Sequence, residues 1–206
     1  MPPAGSPNHG CGGHGKIPLK AWLPTTPTML CNPGQSKPRM EENPPELLMI
    51  YTTKNGRTGS MVEPIKQGIL DAGGTVTTRR VDEVEWEEMV AAKGIIVGTP
   101  VRFGGVDWEI KRLFDVTAYQ DYPGPLDGKV GGAFVGGGRP GGGAELCLLS
   151  MLHILLNHGM VIQGHPFTTH YGPVLLRDPP QEEMESICNA WGRHWAGLVR
   201  RLYNQG

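Results

Sequence analysis

Three short apolar runs in this chain each break into glycine and hydroxyl residues, and each break is followed by a segment with helical spacing. Leu47-Leu48-Met49-Ile50-Tyr51 runs into Thr52-Thr53-Lys54-Asn55-Gly56-Arg57-Thr58-Gly59-Ser60, and Gly94-Ile95-Ile96-Val97 runs into Gly98-Thr99-Pro100-Val101-Arg102-Phe103-Gly104-Gly105. Val130-Gly131-Gly132-Ala133-Phe134-Val135 runs into Gly136-Gly137-Gly138-Arg139-Pro140-Gly141-Gly142-Gly143. A buried strand that ends in such a loop and continues as a helix is the repeating unit of a doubly wound α/β sheet, which presents loop backbone to a ligand at its carboxyl edge. One glycine loop is a weak signal. Three in register predict a shared site.

The remaining periodicity fills in the units. Met61, Ile65 and Ile69 recur at helical spacing and predict a helix that closes at Gly73-Gly74, with Pro64 tolerated near its first turn. Thr75 to Val81 alternates and reads as strand two, Glu85 to Ala92 as a short helix, Ile95 to Val97 as strand three and Trp108 to Val116 as a helix. Lys129 to Val135 is strand four, Leu146 to Leu156 a helix, Met160-Val161-Ile162 strand five, and Gln181 to Tyr203 a closing helix opened by Asp178-Pro179-Pro180. Five strands alternating with helices imply right-handed crossovers and a parallel sheet. The expected fold is a flavodoxin-like doubly wound five-stranded parallel sheet, order 2-1-3-4-5, with helices on both faces and the ligand at the switch between strands one and three.

Residues 1–45 differ from residues 46–206. They hold about half of the 19 prolines and no sustained periodicity, so they read as an arm rather than as part of a core, with Trp22, Leu23, Met29 and Leu30 available to pin it. His9, Cys11 and His14, with Cys31, supply metal-ligating side chains, but they lack the paired spacings of zinc sites, and a flexible Gly/His segment is expected instead. Cys147 and Cys188 fall on apolar helix faces and are expected to be buried. With no CxxC pairing and no apolar signal core, a reducing cytoplasm is the expected compartment. Nineteen Lys and Arg balance 20 Asp and Glu, which argues against nucleic acid and anionic membrane as partners, and no run approaches the roughly 20 apolar residues of a membrane span. A small molecule is the default partner.

The loops differ in chemistry. Thr53 and Thr58, with backbone N–H groups from Lys54 to Gly59 at a helix start, form a seat for a phosphate dianion, and Lys54 and Arg57 are placed to add charge. The absence of GxxxxGK[ST] argues for a monophosphate rather than a nucleoside triphosphate. The other two loops offer close backbone approach and N–H donors to a planar ring, with Phe103 as a wall and Arg102 beside it.

From Leu47 to about Leu202 the sequence resembles the WrbA-type flavodoxin-like NAD(P)H:quinone oxidoreductases. The resemblance rests on Tyr51 to Arg57, Gly98 to Gly104, Leu126-Asp127-Gly128-Lys129-Val130-Gly131-Gly132, Gly141 to Glu145 and His158-Gly159-Met160-Val161-Ile162. It implies FMN as cofactor and NAD(P)H as substrate. The phosphate loop is then Thr53, Lys54, Asn55, Gly56, Arg57 and Thr58, and the loop along the ring is Pro100, Val101, Arg102, Phe103 and Gly104. The loop at the pyrimidine edge is Val135, Gly136, Gly137, Gly138, Arg139, Pro140 and Gly141. His158 corresponds to a histidine over the ring, so Arg102 and His158 are the residues expected to meet the acceptor. A homodimer or homotetramer is implied as well. Asn55 stands where the family often has tyrosine, Asp121 between Tyr119 and Tyr122 where it often has tryptophan, and the segment Gly164 to Tyr171 is shorter than the family's insertion. The expected function is two-electron transfer from NAD(P)H through FMN to a quinone; the alternatives are a flavodoxin-type carrier passing single electrons between proteins and an interaction module with no flavin.

Overall fold

The computed structural model describes residues 47–117, 121, 124–176 and 181–203. The arm at 1–45, Tyr119, Tyr122 and the Asp178-Pro179-Pro180 opening lie outside the described residues.

The chain alternates strand and helix from its first described residue as far as β5, which β6 follows directly: β1 (Leu47–Tyr51), α1 (Arg57–Asp71), β2 (Val76–Arg80), α2 (Trp86–Ala91), β3 (Gly94–Pro100), α3 (Trp108–Arg112), β4 (Val130–Gly136), α4 (Ala144–Asn157), β5 (Val161–Ile162), β6 (Val174–Leu175) and α5 (Gln181–Tyr203). The sheet runs β2-β1-β3-β4-β5 with every pairing parallel, the order read from the sequence. Parallel strands buried on both faces carry unbroken apolar runs, and period-two alternation divides each run between two cores. Leu48, Ile50, Ile95, Val97, Ala133 and Val135 pack beneath α3 and α4. Leu47, Met49, Ile96, Val130 and Phe134 pack on the opposite face against α1 and α5.

Two helices on that second face meet backbone to backbone. A Cβ on Gly68 of α1 would stand 2.1 Å from the Asn189 carbonyl oxygen of α5, and one on Gly192 of α5 would stand 2.1 Å from that of Ile65. Pro64 lies well inside α1 rather than near its first turn, where it forgoes one hydrogen bond to the preceding turn.

The fifth strand position is shared. β5 pairs with Val130-Gly131 at the start of β4, and β6 pairs with Val135-Gly136 at its end, so a sixth short strand joins the five expected. The segment between them leaves the sheet and docks on α5. Trp191 Nε1 donates to Thr169 Oγ1 at 2.6 Å, and the His165 ring lies 5.4 Å from that of Trp191 and 5.0 Å from that of His194. No helix among the described residues is long and apolar enough to cross a membrane.

Candidate functional site

The loop from β1 to α1 turns at Gly56, whose φ of 80° caps the helix in the left-handed region. The cap brings no side-chain acceptor to the helix start, and the first turn holds no acidic residue. Free N–H groups and the positive end of the helix dipole therefore face the loop. Thr58 is buried, and its Oγ1 and that of Thr53 are both shut away from solvent without a hydrogen-bond partner. Burying a hydroxyl unpaired costs about 1–3 kcal/mol, so two of them at one helix start mark a place where an acceptor belongs.

After β3 the chain forms a two-residue hairpin. Arg102 N–H donates to Gly105 O at 2.9 Å and Gly105 N–H to Arg102 O at 3.0 Å, while Phe103 and Gly104 occupy the tip with φ of 49° and 85°. Paired positive φ values define the turn type that suits a tight hairpin, and a phenylalanine there stores strain of roughly 1–2 kcal/mol. Phe103 is fully exposed. The hairpin is braced from below: Asp107 N–H donates to Thr99 Oγ1 at 3.0 Å, and Asp107 Oδ1 accepts from Glu109 N–H at 3.1 Å to cap α3. The second oxygen of this fully buried carboxylate has no hydrogen bond, only Arg102 Nε at 3.5 Å. Cys147 of α4 donates its thiol to Gly105 O at 3.1 Å. Burial and the neighbouring Asp107 push that thiol up to about 12, which keeps it a neutral donor.

The loop after β4 closes on the first. A Cβ on Gly136 would lie 2.6 Å from Thr58 Oγ1, so only glycine lets the two loops meet there. Gly137 is buried and donates to Leu175 O of β6 at 2.7 Å, which is how the sixth strand supports the site. The three loops enclose a cavity of about 120 Å³, where Thr53, Lys54, Asn55, Arg57 and Thr58 meet Pro100, Val101, Arg102, Gly136 and Gly138. It has room for a tetrahedral anion and not for a ring system. A larger groove of about 1070 Å³ runs between α1 and α5 and shares only Arg57 with it. None of the buried unpartnered side-chain oxygens among the described residues lines that groove, whereas two of the three line the small cavity.

Several expected site residues are turned away from this small cavity or do not line it. Val135 sends its side chain into the core, and Arg139, Pro140 and Gly141 form the exposed outer side of the third loop. Lys54 does not point its charge at the helix start: its Nζ pairs with Glu109 Oε2 at 3.0 Å, and the buried Thr52 donates to the same oxygen at 3.0 Å. Within one chain, His158 stands apart from the three loops. It ends α4 beside the first residues of β4 and β5, with its ring 5.5 Å from that of Phe114. The seven residues of β4 span about 20 Å at ~3.3 Å each, so one chain keeps His158 at the far end of the sheet from the loops. Burial lowers its imidazole pKa, with Asp115 acting in the opposite direction. Asp121 accepts a 2.7 Å bond from Trp86 Nε1 of α2. Thr52, Glu109, Asp107 and Thr99 were not singled out from the sequence, where a buried acid after a glycine hairpin and a threonine inside a strand carry no local signature.

The pattern of the NADPH-dependent FMN reductase family matches residues 52–172, more than half of the chain. The chain belongs to that family. It is 37% identical over 161 residues to a flavodoxin of Aquifex aeolicus, covering 75% of this chain and 86% of that one. It is 28% identical over 200 residues to an NAD(P)H dehydrogenase (quinone) of Solidesulfovibrio magneticus, covering 76% and 98%. In fold it is similar to the WrbA-like flavodoxin from Agrobacterium tumefaciens, with a TM-score of 0.65, 21% identity and coverage of 77% and 99%. The protein is an FMN-binding flavodoxin-like oxidoreductase. Its first loop fits that cofactor, since two buried unpartnered hydroxyls at an uncapped helix start suit a monophosphate.

Proposed function

We propose that the chain passes two electrons from NAD(P)H to a quinone, with the FMN phosphate seated between Thr53, Thr58 and the start of α1 and the ring along the hairpin at Arg102 to Gly105. The redox chemistry, hydride uptake from a nicotinamide and delivery of an electron pair to an acceptor, would be supplied by FMN held by Thr53, Thr58 and the α1 N–H groups.

The protein's part is binding and orientation. Thr53 and Thr58 donate their hydroxyls to the phosphate, and the α1 N–H groups complete its shell. Gly136 holds the third loop close enough for its backbone to line the same cavity. Arg102, half exposed at the lip, offers N–H donors to a carbonyl oxygen of the acceptor or to the nucleotide's phosphates while Asp107 fixes the base of its side chain. Phe103 supplies an open aromatic face. The observation that carries the reading is this phenyl ring, fully exposed on strained backbone next in sequence to Arg102 of the cavity, because a flat apolar acceptor needs such a surface.

The similarity to the Aquifex flavodoxin favours a second reading, a carrier exchanging single electrons with protein partners. Carriers dock by charge, and a chain with a net charge of −1 offers little steering. Anaerobic titration separates the two. NADH or NADPH is expected to bleach the oxidised flavin spectrum, and a benzoquinone is expected to restore it within the mixing time. Flavin that stays oxidised in excess NADH and NADPH, yet is bleached by dithionite, would assign the carrier role.

A further inference from the structure

We propose that Glu109 is a positioning residue of the phosphate seat: it holds Lys54 off the anion, so that FMN is recognised by hydroxyl and backbone donors rather than by a lysine charge. Lys54 is the cation next in sequence to Thr53, and it lines the same cavity as both orphaned hydroxyls. A lysine there would be expected to reach the phosphate. Instead its ammonium donates to Glu109 Oε2 at 3.0 Å, and the fully buried Thr52 donates to that same oxygen at 3.0 Å from the floor of the loop.

Glu109 is well placed to keep this hold. It is the second residue of α3, and its backbone N–H is fixed by Asp107 Oδ1 at 3.1 Å, so its carboxylate rises from the base of the hairpin toward the first loop. The Lys54 hydrogen bond, and after it that of Thr52, holds its carboxyl below the usual glutamate range against the opposing effect of burial, so the carboxylate stays charged near neutral pH. The single carboxylate therefore does two things. It ties the first βα loop to the second, and it cancels the ammonium that would otherwise dominate the seat. The other basic side chains that line the cavity are Arg57 and Arg102, the latter 3.5 Å from Asp107 Oδ2.

The inference rests on the assignment of the FMN phosphate to this cavity, and the test separates the two. Equilibrium dissociation constants for FMN and for riboflavin, which lacks the phosphate, are measured by flavin fluorescence on the apoprotein of the full chain and of four variants: Lys54→Ala, Lys54→Met, Glu109→Gln and Lys54→Ala/Glu109→Gln. Glutamine keeps an acceptor for Thr52. Thermal unfolding of each variant verifies that it is folded, and the two lysine variants test the idea alone should the glutamine variant fail to fold. Wild-type protein is expected to prefer FMN over riboflavin by about 100-fold. Either lysine variant is expected to change that preference by less than about threefold, as for a half-exposed ion pair. Glu109→Gln is expected to raise it about tenfold by releasing the ammonium to the phosphate, with riboflavin unchanged, and the gain is expected to vanish in the double variant. A tenfold loss of FMN preference in Lys54→Ala would make the lysine a phosphate ligand and overturn the proposal, as would an unaltered preference in Glu109→Gln. A wild-type preference below about threefold would instead overturn the phosphate assignment itself.

Discussion

At the amino edge of the sheet the polar groups of the connecting turns close on one another. Gly128 N–H donates to Gly159 O at 3.0 Å, Val161 N–H to Lys129 O at 2.8 Å, and the Lys129 ammonium reaches the carbonyls of Val90 and Ala92 where α2 ends. At the carboxyl edge the same kind of turn joins the same kind of elements, yet Thr53 Oγ1, Thr58 Oγ1 and Asp107 Oδ2 are buried without hydrogen-bond partners. Phe103 there accepts a backbone conformation that costs energy and gains no burial. A chain that satisfies its turns at one edge can do so at the other, so unmet oxygens and strain gathered at one edge indicate groups kept for something not yet bound.

Replacing both hydroxyls tests that difference most strongly. The Thr53→Val/Thr58→Val protein is expected to bind FMN about 2–6 kcal/mol more weakly, at about 1–3 kcal/mol for each lost bond to a charged phosphate, with riboflavin much less affected. Its urea midpoint without flavin is expected to stay level or rise, because valine removes a buried oxygen that the apoprotein leaves unpaired. A lower midpoint with undiminished FMN affinity would show that the oxygens serve the fold, and the contrast between the edges would lose its meaning.

The two buried thiols sharpen the comparison. Cys147 lies beneath the hairpin of the site, and Cys188 lies on α5 beside Met184, away from it. Burial pushes both up to about 12, with Asp107 adding to the shift at Cys147. A thiol whose folded value is raised favours the protonated state, so its contribution is held below pH 9 and is lost as pH rises above 9, where the unfolded chain's thiols ionise. Iodoacetamide at pH 8.5, with peptides resolved by mass spectrometry, is expected to label both on the order of a hundredfold more slowly than in urea. Rapid labelling of Cys147 with Cys188 still protected would mean that the carboxyl edge opens in the absence of flavin, making the unmet groups there a property of a closed form.

The sheet order and every helix were legible because apolar runs with period two and stripes with period 3.6 repeat often enough to be read. β1 and α5 match the expected limits residue for residue. β6 escapes the sequence reading because two residues after Gly172-Pro173 carry no period, and its place is set by pairing with β4 and by the burial of Leu175. The glycine-rich loops announced their convergence through composition. The charges within them did not: the sequence places Lys54 next to Thr53, but the partner that decides its direction is 55 residues away on α3. Asp107 is similar, since only the closed hairpin shows that it is buried and that Arg102 is its neighbour.

His158 gives the finest test, because it carries the resemblance to the quinone oxidoreductases and yet stands at the satisfied edge. Its ring packs at 5.5 Å from Phe114, an aromatic contact worth about 0.5–1.5 kcal/mol, and burial holds its pKa down. A histidine whose folded pKa is lowered favours the neutral ring, so its contribution is present above the unfolded value near 6.5 and fades as pH falls through that value toward the folded one. His158→Ala is therefore expected to cost about 1 kcal/mol of stability at pH 8 and less at pH 5, with FMN affinity unchanged at both. Were the variant to lose flavin affinity while keeping its urea midpoint, the amino edge of one chain would have to reach the carboxyl edge of another. The division between a closed edge and an open one would then hold for the single chain and fail in the assembly.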